Sequence, residues 1–216
     1  MKKTHLMQTL RADRPGLDWP GWSLAFLVCS FVGWVFETTV VWRQTGKFTN
    51  RGYLSVLYPA DHYFPALQGV PALGNLPAIF GLPIIEMYGF GAVIIIATMH
   101  GQRHHPVRIF CIGSVLMTLF ELASSYLCTF ALHHEFWNYS TDFLNFDGRI
   151  CLRSSIAWGM LSLLAIEVLD PFVDRIYAHE RGRRVFKVAM ALLMGYAALC
   201  AVLKYGLAPG LFPPQP

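Results

Sequence analysis

Residues 22–42 read WSLAFLVCSFVGWVFETTVVW. A helix that crosses a bilayer needs about 20 mostly apolar residues, and this run supplies them with Glu37 as its only charge. Trp22 and Trp42 bracket it, at the levels where indole rings favour the membrane–water boundary. Four further apolar runs follow: Ala78 to Met99, interrupted by Pro83 and Glu86, then Val107 to Leu132, Ser154 to Val173, and Val185 to Leu207. The whole chain is 55% hydrophobic and 14% charged, against about 25% charged in a soluble domain. The reading is an all-α polytopic membrane helix bundle of about five transmembrane helices. Residues 1–21 form a cytoplasmic N-terminal segment, 22–207 the bundle and 208–216 a tail.

The basic residues give the bundle a direction, because cytoplasmic loops retain Lys and Arg. With the N-terminus inside, the inner face collects Lys2, Lys3, Arg11, Arg14, Arg103, Arg108, Arg175, Arg181, Arg183, Arg184 and Lys187. The outer face has only Arg43, Lys47, Arg51, Arg149, Arg153 and Lys204. The N-terminus is therefore expected in the cytoplasm and the C-terminus outside. The formal net charge of +4 belongs to these loops and does not point to nucleic acid. The five cysteines are odd in number and lie in or beside apolar runs with no CxxC spacing. They predict neither a disulfide framework nor a zinc site. The N-terminus is polar through Pro20, which gives no sign of a cleavable signal peptide.

Between the first two runs, Pro59, Pro65, Pro71, Pro77 and Pro83 recur every six residues. Proline removes an N–H and clashes with the preceding helical turn, so a continuous helix is not expected here. Irregular backbone at membrane depth must be covered by protein or line a wet cavity. The segment is read as a proline-rich outer-face loop, partly re-entrant, with an ordinary long loop as the competing reading.

Ionisable residues inside a membrane are rare and tend to be functional; a central carboxylate costs roughly 2.5–3.5 kcal/mol on insertion scales. Glu37 shares a helical face with Ser30, Gly33 and Trp34, and Glu121 one with Thr118, Ser124 and Ser125. Both fall in the outer part of their spans. The loops on that side carry Asn50 and Arg51, then Trp137, Tyr139, Asn145 and Arg149. Arginine suits bidentate binding of carboxylate or phosphate. These eight residues are the candidates for binding a substrate or a coupling ion, and no catalytic residue is assigned. Glu86 is a weaker signal. Glu167 and Asp170 are read as meeting the basic inner loop. His100, His104 and His105 are read as interfacial histidines, as are His133 and His134, so no metal or cofactor is expected. Arg181 to Arg184 suit anionic lipid headgroups. The chain lacks GxxxxGK[ST], GxSxG, HExxH and GxGxxG patterns, so it should not hydrolyse ATP itself.

Several of these stretches form an ordered set. They are Ser30-Phe31-x-Gly33-Trp34-x-x-Glu37, Phe48-x-Asn50-Arg51-Gly52-Tyr53-Leu54, Tyr88-Gly89-Phe90-Gly91-Ala92 and Glu121-x-x-x-Ser125-Tyr126. Trp137-x-Tyr139-Ser140, Asn145-x-x-Gly148-Arg149-Ile150-Cys151-Leu152 and Trp158-Gly159 complete it. Over about residues 26–172 the chain resembles the bacterial family described as putative ABC-transporter type IV, or CmpB-like. The pattern departs from that family in the proline-rich insertion, in Asn138 where an acid is expected, and in Thr129 where a Glu is expected. The resemblance implies a multi-pass component of the bacterial inner membrane, working with a separate ATPase subunit. Three functions compete: a permease-like component using the outward Glu/Arg cluster for a solute or coupling ion, an accessory or scaffold subunit, and an outer-leaflet enzyme acting on a lipid-linked substrate.

Overall fold

Asp18 starts the first helix. Its carboxylate accepts from Gly21 N at 3.4 Å, Pro20 occupies the first turn, and Gly46, left-handed at φ 69°, ends it after Thr45. This helix, α1 (Trp19–Thr45), has 27 residues and is about 40 Å long. The computed structural model describes residues 17–46, 52–53, 55–59, 77–133 and 135–207. The remaining elements are β1 (Ser55–Pro59), β2 (Pro77–Phe80), α2 (Glu86–Met99), α3 (Pro106–Leu127), α4 (Leu152–Leu164), α5 (Asp170–Glu180) and α6 (Arg184–Val202). A π turn at Ala165–Leu169 joins α4 to α5, and π turns at Cys128–Leu132 and Leu203–Leu207 extend α3 and α6. Four rods are long and apolar enough to cross a membrane: Trp19–Thr45, Pro106–Leu132, Leu152–Glu180 and Arg184–Gly206.

The remaining rod is different. Hydropathy set the second span from Ala78, but the helix starts at Glu86 and has 14 residues. That is about 21 Å, short of the roughly 30 Å of bilayer hydrocarbon. The physical reason lies just upstream, where Gly81 is left-handed at φ 91° and Pro83 blocks a preceding helical turn. Residues Pro77–Phe80 pair antiparallel with Ser55–Pro59 instead, Ser55 opposite Phe80 and Pro59 opposite Pro77. Strand pairing thus satisfies backbone that the prolines exclude from a helix. The rest of the proline-rich segment, residues 60–76, lies outside the described residues.

Glycines fix the depth at which α2 begins. A Cβ on Gly33, midway along α1, would fall on the Tyr88 ring; one on Gly89 would meet Ser30 Oγ and Phe26. Phe26 and Phe90 meet edge to face at 5.0 Å, and Ile85 N donates to Ser30 O at 3.1 Å. The two helices are therefore antiparallel, and α2 descends from the mid-level of α1 toward its N-terminal end. The α3–α4 pair repeats the device. A Cβ on Gly113 would stand 2.5 Å from Ser162 Cβ, Gly159 packs on Ser114 and Phe110, and Thr118 Oγ1 donates to Ser155 Oγ at 2.8 Å. In lipid there is no hydrophobic drive between helices, so small residues and interhelical hydrogen bonds hold them together. Ile95, Met99, Ile109, Met117, Ile166 and Val173 fill the centre. The outward surface keeps Val107, Val115, Leu119, Leu127, Leu192 and Val202 exposed, as a lipid-facing surface requires.

Candidate functional site

Glu37 stands one helical turn beyond Gly33 on α1, above the start of α2. Tyr88 OH donates to Glu37 Oε1 at 3.0 Å. The Tyr88 ring also faces Trp158 of α4, with centroids 5.4 Å apart. Beside Trp158, Glu121 projects inward from α3 and is 3% exposed. Tyr139 OH donates to Glu121 Oε1 at 3.1 Å. The Ser154 and Trp158 side chains adjoin the same carboxyl, yet its Oε2 has no well-aligned hydrogen-bond partner. The two carboxylates, far apart in sequence, belong to one neighbourhood, because the Tyr139 hydroxyl feels both. Burial first, then the charge of Glu121 and its hydrogen bond, then Glu37, hold the Tyr139 phenol well above its ordinary range. Burial and the neighbouring acids thus both favour Tyr139 as a hydrogen-bond donor.

The loop between α3 and α4 carries Tyr139 and is built to hold it. Trp137 Nε1 donates to Arg149 O at 2.9 Å, and Tyr139 N to Gly148 O at 2.7 Å. Asn145 Nδ2 donates to Asp142 O at 2.9 Å and Ser140 O at 3.2 Å, while its Oδ1 accepts from Gly148 N at 3.2 Å. Asn145 therefore staples the loop. Arg149 closes the loop onto α3: Nη1 donates to Ser125 Oγ and Thr129 Oγ1, each at 2.9 Å, and Nε to Asp147 Oδ2 at 3.0 Å. Its guanidinium carbon lies 4.3 Å over the Tyr126 ring. Asn138 and Thr129, two of the departures from the expected pattern, each keep an acceptor in place. Thr129 receives Arg149, and Asn138 Oδ1 accepts from Ser140 N at 2.8 Å and from Ser140 Oγ.

Of the eight candidates, Glu121 is buried and Glu37 half-buried in one neighbourhood, Tyr139 reaches Glu121, and Trp137, Asn145 and Arg149 build the loop that presents it. Asn50 and Arg51 lie outside the described residues. Sequence reasoning treated Tyr88 and Trp158 only as motif positions; their aromatic rings are what join the two acids. A signal was available, since Tyr88 is the bulky residue beside the small ones that let α1 and α2 touch. Glu86 is also more than a weak signal. It accepts from Tyr205 OH at 2.5 Å, tying the start of α2 to α6. Lys204 lies over the Tyr53 and Tyr205 rings, at 5.1 and 5.3 Å, and donates to Gly52 O at 3.4 Å.

Gly148 is the loop's pivot. It is left-handed at φ 65°, and a Cβ there would stand 2.8 Å from Ser140 Oγ and 3.1 Å from Asn138 Oδ1. Gly148→Ala is expected to cost about 1–3 kcal/mol of local stability. It should release Tyr139 from Glu121, seen as faster proteolysis between Trp137 and Arg149 with the helices still folded.

No curated protein and no solved structure matches the chain. The profile of one family, described as putative ABC-transporter type IV, matches residues 24–203. The match takes in the helices from α1 to α6 and every described residue of the site. With four rods fit to cross a bilayer and a lipid-compatible surface, the chain is a membrane protein that belongs to this ABC-transporter-related family.

Proposed function

We propose that the chain is a permease-like component of a transport system in the bacterial cytoplasmic membrane, whose Glu37–Glu121 site binds a cationic solute or a coupling cation from the outer face. The observation that carries this reading is Glu121. It is buried, its Oε2 has no well-aligned hydrogen bond although Ser154 and Trp158 adjoin it, and its other oxygen accepts from the Tyr139 hydroxyl. The Tyr88 and Trp158 faces nearby suit a cation. The half-length α2, starting at mid-depth beside the site, matches the broken helices around which transporters build midplane binding sites. The distribution of Lys and Arg favours an N-terminus inside and a C-terminus outside. The family's name supports a separate ATPase partner.

The test is ligand-induced thermal stabilisation of the full chain in detergent. It uses matched sets of organic cations, neutral isosteres and anions, with cell-based uptake of any cation that binds. At least one cation should raise the unfolding temperature, and both Glu121→Gln and Glu37→Gln should abolish that shift and the uptake while the unliganded proteins stay folded. Stabilisation by anions alone, or an unchanged shift in both variants, would overturn the proposal. Loss of folding and abundance in these isosteric variants would favour a scaffold role for the two acids.

A further inference from the structure

At the opposite end of α2, the chain turns through His100–Gln102 and lies against the π turn that joins α4 to α5. Arg103 Nε donates to Ile166 O at 3.3 Å, and His104 N to Glu167 Oε1 at 3.3 Å. Asp170 opens α5 just past that turn. His100 Nδ1 lies 2.7 Å from Asp170 Oδ2, and Arg103 Nη2 donates to the same oxygen at 3.1 Å. The residue is fully buried, at 0% exposure, yet its Oδ1 has no hydrogen-bond partner. Asp174 follows one helical turn later on α5. One ligand atom each from His100, Asp170 and Asp174 lies within 4.8 Å of the other two.

We propose that His100, Asp170 and Asp174 form a binding site for a first-row divalent cation of the Mn²⁺ to Zn²⁺ series. A buried carboxylate oxygen left without a donor is costly, and a cation bound at Asp170 Oδ1 would satisfy it. One imidazole with two carboxylates is a borderline donor set. Imidazole turns selectivity away from Mg²⁺ and Ca²⁺, which prefer oxygen alone, toward Mn²⁺, Fe²⁺, Co²⁺ and Zn²⁺. Arg103 is pinned to Ile166 O and holds Asp170 through Oδ2, which fixes the carboxylate's orientation and leaves Oδ1 for the ion. Outer partners of this kind orient metal ligands and tune their affinity. The guanidinium also repels the ion, so the affinity expected is micromolar and not tighter. The side chain of His100 is 43% exposed, which opens a route from solvent to the buried Asp170. The sequence reading of His100, His104 and His105 as interfacial histidines gave no sign of this cluster, because the partner of His100 comes from α5, some seventy residues away.

The full chain, purified in detergent and stripped with chelator, is titrated with Mn²⁺ and Zn²⁺ by calorimetry and with Co²⁺ by visible absorption. One equivalent should bind saturably at micromolar concentration. His100→Gln and Asp174→Asn should each weaken binding at least tenfold, with metal-free unfolding temperatures near the wild type's. No saturable binding by any of the three ions, or equal binding by wild type and both variants, overturns the proposal. So does saturable binding of Mg²⁺ or Ca²⁺ in preference to them. The result is independent of the transport reading, since neither variant touches the Glu37–Glu121 site.

Discussion

Leucine in place of Gly33 is expected to prevent α1 and α2 from packing and to leave little folded protein in the membrane. The position has no slack. Even a single Cβ there would overlap Tyr88 Cβ, Cγ and Cδ2 together. The blocking group is the root of a ring and not the free end of a flexible chain. Tyr88 cannot swing aside without losing Glu37 and Trp158. Overpacking a well-filled interior costs about 1–3 kcal/mol per inserted group, sometimes more, and four carbons here must displace the helix itself. Alanine is the milder probe. It recovers up to about 1 kcal/mol of helix propensity, so Gly33→Ala should lose about 1–2 kcal/mol net. The decisive measurement is a double-mutant cycle in detergent unfolding. Tyr88→Ala alone opens a cavity and removes the Glu37 donor, yet it should rescue Gly33→Ala, because the group the new methyl strikes has gone. Additive losses would show that Gly33 matters through α1 alone.

The contact that Gly33 makes also marks where sequence reading stopped. Apolar runs bounded by tryptophans, prolines and arginines give the long helices directly, since hydropathy over a window is a property of consecutive residues. The upstream end of α2 could not be read that way. Ala78 to Ile85 is as apolar as the helix that follows; Pro83 marks an interruption in the sequence, but pairing with Ser55–Pro59 and the left-handed Gly81 are what make the stretch before it extended. Those are tertiary facts. The acids were legible for the same reason the helices were: a charge in an apolar run stands out. Their partners were not, because tyrosine and tryptophan are common in membrane spans and nothing local says that Tyr88 and Tyr139 each face a carboxylate. Arg149 shows the opposite failure. Its motif suggested a carboxylate or phosphate partner; the carboxylate it holds is Asp147 within its own loop, and Ser125 and Thr129 take its other hydrogen bonds. Asp170 fell between these cases. The expectation that it meets the basic loop agrees with its contacts to Arg103 and His100, but its complete burial and bare second oxygen needed coordinates.

Removing Arg103 should be the most destabilising single change at that end of the bundle. Asp170 has no solvent exposure, and the Arg103 guanidinium, 22% exposed, is a full positive charge in contact with it. Breaking a buried pair by deleting one partner strands the other and costs on the order of 3–5 kcal/mol. Arg103→Leu should therefore unfold far more readily than wild type in chelator-treated detergent samples. A change on the exposed side, such as Arg183→Leu, which breaks only a solvated pair with Glu180, should cost well under about 1 kcal/mol. The cause can be separated from lost packing by the partner substitution. Asp170→Asn keeps the shape and removes the charge, so the Arg103→Leu/Asp170→Asn double variant should recover much of the loss. Replacing both members of a buried pair is far less costly than orphaning one. If the double variant is no more stable than Arg103→Leu, the arginine acts through its bond to Ile166 O and not through the carboxylate. The electrostatic account of the α2–α5 junction then fails.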